Sequence, residues 1–265
     1  MKFRRLGKEM WDMSKFPPGL QLYTLRNEMQ TDLFGTLKKV AEMGYKLVEL
    51  FSWGYGGIPA DEMKKALKHL NLGVVSTYVG HKDLENDLQH QIEYALRLGV
   101  QYIITDFSEK ILRNESSIQG VISSLKKIGK EIKHQGLQFL YHPHAPEYKQ
   151  VGGRRIIDRL LEGVGTDLIK LELDLYWTKK EGLDPLETLF KYKGLSPLIH
   201  VKDMDKNGIF IEMGNGIIDW PPIFRILKDV GVKYYFVEQE FSNHPLKSAK
   251  MSLDYLRSIG VVSRV

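Results

Sequence analysis

Again and again along this chain of 265 residues, a glycine closes a helical-looking stretch and precedes an apolar run. The glycines are Gly44, Gly73, Gly99, Gly136, Gly165, Gly194, Gly231 and Gly260. Glycine suits the left-handed residue just past a helix end, because it has no Cβ to clash there. The first seven lead into apolar runs at 45–50, 74–79, 100–105, 137–141, 168–174, 195–202 and 232–238, and a run at 19–25 opens the series. Eight strand candidates with helices between them imply parallel pairing, since a parallel neighbour is reached only through a crossover.

The helices have their own signals. Thr31 or Asp32 caps one that ends near Met43, with Leu33, Leu37, Val40 and Ala41 at helical spacing. Pro59 and Asp61 open one ending near Leu70, and Asp83 or Asn86 starts a longer one ending at Leu98. Further helices are expected over 114–135, 153–163 and 243–259. Asp184-Pro185 places an N-cap before a proline at the first helical position, and Asp219-Trp220-Pro221 repeats that logic.

Two architectures suit such a chain: a doubly wound open sheet and a closed barrel. A nucleotide-binding open sheet carries a glycine-rich turn after its first strand, whereas here the first run leads into Tyr23-Thr24-Leu25-Arg26-Asn27. No Pro/Ser-rich linker divides the chain. The expectation is an α/β fold, a single-domain (β/α)8 TIM barrel over 19–265, preceded by an N-terminal extension over 1–18. That extension, with Arg4, Arg5, Trp11 and Phe16, is expected to cover the barrel bottom or serve a homo-oligomer contact.

Within a barrel strand, alternate residues face the interior and the rest pack on helices. In the sixth run Ile169, Leu171, Leu173 and Leu175 are apolar, so Lys170, Glu172 and Asp174 point inward. The same parity turns His200 and Lys202 inward on the seventh, and Phe236, Glu238 and Glu240 on the eighth. It turns His142 and His144 inward on the fifth, Glu49 on the second, and Gln21 and Tyr23 on the first. Polar inner walls thus gather at the C-terminal strand ends, where barrels of this kind place their active sites. Burying so many ionisable groups is costly without pairing or a cation. Glu172 with Lys170 reads as one plain buried ion pair.

Histidine, aspartate and glutamate without cysteine suit one divalent ion such as Mn²⁺, Co²⁺, Zn²⁺ or Mg²⁺. The absence of cysteine also excludes disulfides. Trp53, Trp177 and Trp220 lie near strand-to-helix loops, and Trp177, close behind Asp174, is favoured as a wall against a sugar ring. His81, just after the third run, is a second substrate contact candidate, and Gly214-Asn215-Gly216 reads as a turn. The net charge of +5 is interspersed, so a solvated surface is expected in place of a nucleic-acid groove. No apolar run reaches the roughly 18 residues of a membrane span. The N-terminal stretch lacks the apolar centre of a secretory signal, so a cytoplasmic enzyme is the expectation.

Taken together, Gln21-Leu22-Tyr23-Thr24-Leu25-Arg26, Gly44-Tyr45 with Val48-Glu49-Leu50, Tyr141-His142-Pro143-His144 with Glu147, Asp174 with Trp177, His200-Val201-Lys202-Asp203, Gly214-Asn215-Gly216 and Val237-Glu238-Gln239-Glu240 make the chain similar to the sugar phosphate isomerase/epimerase superfamily of xylose isomerase-like barrels. The branch it resembles most holds inosose dehydratase. The resemblance implies a metal set of His142, Asp174, His200 and Glu238. It departs from the family at the fifth strand, where the epimerases carry Glu and this chain carries His142. Two-base epimerisation needs that carboxylate, so dehydration or ketose–aldose isomerisation is at least as well supported. The implied activity is metal-dependent proton abstraction next to a carbonyl of a sugar, keto-sugar or cyclitol. Glu238, His142 and Glu240 are the base candidates, and Lys202 is the charge stabiliser. Glu49, His81, His144, Trp177 and Tyr23 are expected to shape the substrate pocket. The alternatives are an endonuclease IV-like enzyme acting on abasic DNA and a non-catalytic sugar-binding barrel.

Overall fold

Each of the eight apolar runs forms a strand, and the strands close on one another in a computed structural model that describes residues 16–107, 112 and 114–263. They are β1 Gly19–Gln21, β2 Leu47–Phe51, β3 Gly73–Tyr78, β4 Tyr102–Thr105, β5 Gln138–Tyr141, β6 Ile169–Asp174, β7 Leu198–Val201 and β8 Tyr234–Val237. Neighbours pair in parallel from β1 round to β8, and β8 pairs back onto β1. The expected TIM barrel is therefore the observed fold. Arg4, Arg5 and Trp11 lie outside the described residues.

Between the strands run α1 Arg26–Thr31, α2 Leu33–Met43, α3 Ala60–His69, α4 His81–Leu98, α5 Glu115–His134, α6 Ala145–Tyr148, α7 Ile156–Val164, α8 Leu175–Lys180, α9 Pro185–Lys191, α10 Trp220–Ile226 and α11 Pro245–Ser258. The caps work as read from sequence in several places. Asp32 accepts from Gly35 N, Asn114 from Ser117 N, and Asp184 from Leu186 N and Glu187 N. Gly44 and Gly99 end α2 and α4 with φ of 105° and 90°, a conformation that a Cβ disfavours. Three expectations shift. The opening run stays extended only to Gln21 and then tightens into a 3₁₀ turn over Leu22–Leu25. Helix α4 starts at His81 and kinks at Asp87. Asp219 makes no side-chain cap bond ahead of α10.

Two apolar layers hold the barrel. The larger lies between strands and helices and includes Val48, Leu50, Phe139, Tyr141, Leu171, Leu173, Ile199, Val201, Tyr235 and Val237. The smaller fills the barrel interior with Leu47, Val75, Tyr102, Ile104, Leu140, Leu198 and Phe236. This division follows strand parity. It also sets the site's height. Along β7 the inward side chains run Leu198, His200, Lys202, so on this strand the apolar plug ends two residues before the histidine. Among the described residues, no helix is long and apolar enough to cross a membrane.

Candidate active site

Above the plug, the inward polar residues meet. A register shift between Val48 and Glu49 in the β2–β3 pairing brings Glu49 opposite Ser76. Glu49 is fully buried and accepts from Gln21 Nε2 at 2.5 Å and Ser76 Oγ at 2.5 Å. Its Oε1 also stands 2.9 Å from His200 Nε2, directly across the barrel. Glu172, equally buried, holds its Oε2 3.0 Å from His142 Nδ1 and 3.3 Å from His200 Nε2. The second face of His200 meets Glu238, with Nδ1 and Oε2 3.1 Å apart.

One layer higher, the Lys202 ammonium sits among three carboxylates. Its Nζ is 2.8 Å from Asp174 Oδ2, 2.6 Å from Glu238 Oε2 and 2.5 Å from Glu240 Oε1. Asp174 also caps α8, its Oδ1 accepting from Tyr176 N and Trp177 N. Its Oδ2 lies 3.7 Å from His142 Nε2.

The charge states follow from these neighbours. Burial opposes the charged form of Lys202, but Asp174, Glu238 and Glu240 outweigh it and hold the ammonium well above its usual range. Burial likewise opposes charge on His200, and Glu172 and Glu238 overcome it, so the imidazole binds its second proton firmly. Glu238 is penalised by burial, yet Lys202 and His200 keep it well below the usual carboxylate range. His142 goes the other way: burial, then the nearby His200, push it well below a normal histidine, and it is neutral. Glu172 is raised by burial and by Glu49 beside it. Without a further cation, the acids in this cluster outnumber Lys202 and His200.

Several donor atoms fit such a cation. His142, Asp174 and His200 each offer one ligand atom within 4.8 Å of the others, as do Asp174, Glu238 and Glu240. Asp174 Oδ2 is buried with no close partner but the Lys202 ammonium, and Glu172 Oε1 is buried without a hydrogen-bond partner. Buried oxygens of this kind call for an explanation, and a cation is one. The donors are imidazole and carboxylate, suited to a borderline or hard divalent ion.

A cavity of about 220 Å³ opens over the cluster, lined by Tyr23, His142, His144, His200, Glu238 and Glu240 together with Gln21, Phe51, Trp53, Tyr78 and Asp106. Not every pocket residue expected from sequence lines it. Glu49 lies beneath the cavity, where it braces His200, because the register of β2 sets it level with Gln21 and Ser76 in the lower polar layer. His81 opens α4 and stacks on Phe107, ring centroids 4.4 Å apart. Trp177 packs edge-on against His144 at 5.6 Å and Tyr176 at 4.9 Å, and so supports the wall from behind. The aromatic at the cavity is Trp53, half exposed and in contact with Tyr23, Phe51 and Tyr78. Trp220 is fully buried and donates to Asp203 Oδ2, which also holds the turn at Gly214.

Glu172 is not the partner of Lys170; it faces two histidines. Tyr78 and Asp106 were not singled out from sequence, although parity along β3 and beyond β4 points both inward. His144 Nδ1 stands 3.4 Å from Asp106 Oδ2.

The model of the xylose isomerase-like TIM barrel matches residues 37–259, and the chain belongs to that family. Inosose dehydratase of Clostridium perfringens is 26% identical over 206 residues, covering 68% of this chain and 69% of that protein. A crystal structure of a sugar phosphate isomerase/epimerase from Parabacteroides distasonis superposes with a TM-score of 0.81 at 24% identity, covering 93% and 96% of the two chains. The IOLI protein, crystallised with a binding zinc atom, superposes with a TM-score of 0.74 at 14% identity, covering 94% of this chain and all of that one. At these identities the two structures speak for the fold.

Proposed function

We infer that this protein is a metal-dependent enzyme that removes a proton next to the carbonyl of a keto-sugar or cyclitol, with dehydration the favoured outcome. One observation carries the reading: His142, Asp174, His200 and Glu238 converge with Lys202 and Glu240 under an aromatic-walled cavity at the C-terminal end of the barrel. Support for dehydration comes from the inosose dehydratase relative and from His142, which stands where a second carboxylate base would serve two-sided epimerisation. The bound zinc of the IOLI structure supports a divalent ion here too.

His142, Asp174, His200 and Glu238 would hold the ion. When bound, a divalent ion polarises a carbonyl and stabilises the enediolate charge that develops on its oxygen. Glu238 is committed to His200 and Lys202 through one oxygen, which suits a ligand better than a base. Glu240 lines the cavity, is partly exposed, and takes the proton from carbon. Lys202, held charged among three carboxylates, keeps a fixed positive charge near the developing oxyanion and stabilises it through space. His144, across the cavity and braced by Trp177, donates the proton with which the substrate hydroxyl leaves as water. Trp53 and Tyr23 present ring faces to the C–H side of the sugar.

An abasic-DNA substrate has less support, since the cavity is small and its wall aromatic and acidic. The deciding experiment is to deplete the protein of metal, restore Mn²⁺, Co²⁺, Zn²⁺ or Mg²⁺ separately, and follow a panel of keto-inositols and ketohexoses by NMR. Turnover that appears only with metal is expected. No turnover on any of them, with no effect of metal on stability, would overturn the reading.

A further inference from the structure

We propose that Glu172 is the positioning residue that makes His142 a metal ligand, fixing the ring so that Nε2 faces the ion. This rests on the reading that His142 belongs to the metal set.

Glu172 sits at the floor of the polar cluster, fully buried on β6 between the strands that carry the two histidines. A single oxygen, Oε2, faces both His142 Nδ1 at 3.0 Å and His200 Nε2 at 3.3 Å. A carboxylate oxygen accepts, so His142 Nδ1 carries its proton toward Glu172. That choice leaves His142 Nε2 with its lone pair on the side of Asp174. His200 is held separately, with Nε2 2.9 Å from Glu49 Oε1 and Nδ1 3.1 Å from Glu238 Oε2. The nitrogen of His142 left free for a metal is therefore selected by this one carboxylate.

A structural role alone explains Glu172 poorly. Its other oxygen, Oε1, is buried and has no hydrogen-bond partner, a costly arrangement in a barrel interior. Lys170, the nearest basic residue on the same strand, does not pair with it. An aliphatic side chain would fill the place above Leu140 and Leu198 at lower cost. Carboxylates that orient ligating histidines in this way are worth about 10–100-fold in metal affinity.

The test compares Zn²⁺ affinity of wild type, Glu172→Gln and Glu172→Leu by chelator competition, with ¹⁵N spectra of the histidine rings in Zn²⁺-loaded protein. Glu172→Leu should bind Zn²⁺ about 10–100-fold more weakly. Glu172→Gln, whose amide oxygen still accepts from Nδ1–H, should fall between. In wild type, His142 should carry its proton on Nδ1. The proposal is overturned by a proton on His142 Nε2, or by a Leu variant within about twofold of wild type, against the expected range. If the Leu variant does not fold, the wild-type tautomer and the Gln variant decide. His142→Ala and His200→Ala separate the two levels. If they too keep wild-type affinity, the metal centre itself is wrongly read. If they lose it while Glu172→Leu does not, only the role of Glu172 fails.

Discussion

Replacing Lys202 with methionine removes the one ammonium that three carboxylates share. Lys202 is fully buried, Asp174 is fully buried and Glu238 nearly so, so water screens the group weakly. Breaking a buried pair by deleting one partner costs roughly 3–5 kcal/mol, because the remaining charge is left uncompensated. Here two of the acids left behind are almost wholly enclosed, which places the metal-free variant toward the upper part of that range. The methionine stem keeps most of the packing, so the loss reports on charge. Two conditions should shrink it. Divalent metal supplies positive charge to the same acids. Low pH protonates Glu238, which Lys202 and His200 hold well below the usual carboxylate range and which titrates higher without the lysine. The stabilisation of the Lys202–Glu238 pair is thus complete above the unfolded carboxylate pKa of about 4.3 and fades as pH falls below it toward the depressed value. Urea unfolding of metal-free protein near pH 8 and near pH 3, with and without excess Mn²⁺, measures all three effects. A loss below about 1 kcal/mol near pH 8, or an equal loss at both pH values, would refute the account.

His200→Ala removes a ring bonded to Glu49, Glu172 and Glu238, and should cut retained metal by about 100-fold or more, read by metal analysis after dialysis. Glu147 is buried, and burial raises its carboxyl to about 7 although Tyr141 OH and His144 N both donate to it. Its protonated form is favoured by folding, so stability is full below the unfolded carboxylate pKa and is lost as pH rises through about 7, by about 3 kcal/mol. Glu147→Gln should flatten that slope in urea titrations across the range; an unchanged slope assigns it elsewhere. Trp53→Ala should raise KM for a keto-sugar about tenfold with kcat nearly constant, the mark of a residue that binds ground and transition states alike. A fall in kcat alone would remove Trp53 from the sugar wall.

Much of the barrel could be read before any coordinates. Period-two patterning assigned Leu171, Leu173, Ile199, Val201, Tyr235 and Val237 to the helix side, and they pack there. The same patterning turned Glu172, His200, Lys202 and Glu238 inward, where the structure has them. Trp177 and Trp53 were harder. Both follow strands, and only the course of the loops makes Trp53 the cavity wall and Trp177 a brace behind His144. Glu172 was turned inward yet paired in sequence terms with Lys170, because local reading sees only neighbours on the same strand.

The sequence by itself determined which face of each strand is polar, since side-chain direction alternates with a period set by the backbone. It thereby determined that acids and histidines would collect at one end of a barrel. Only the tertiary structure decided their depth and partners. Closure sets Glu49 against His200, 151 positions apart, and Glu172 against His142, 30 apart, at the same level of the barrel. That level depends on strand stagger, which the alternation along one strand leaves open. The partners in turn decide the charge states: His142 is neutral beside His200, and His200 is protonated between Glu172 and Glu238, though both are equally buried.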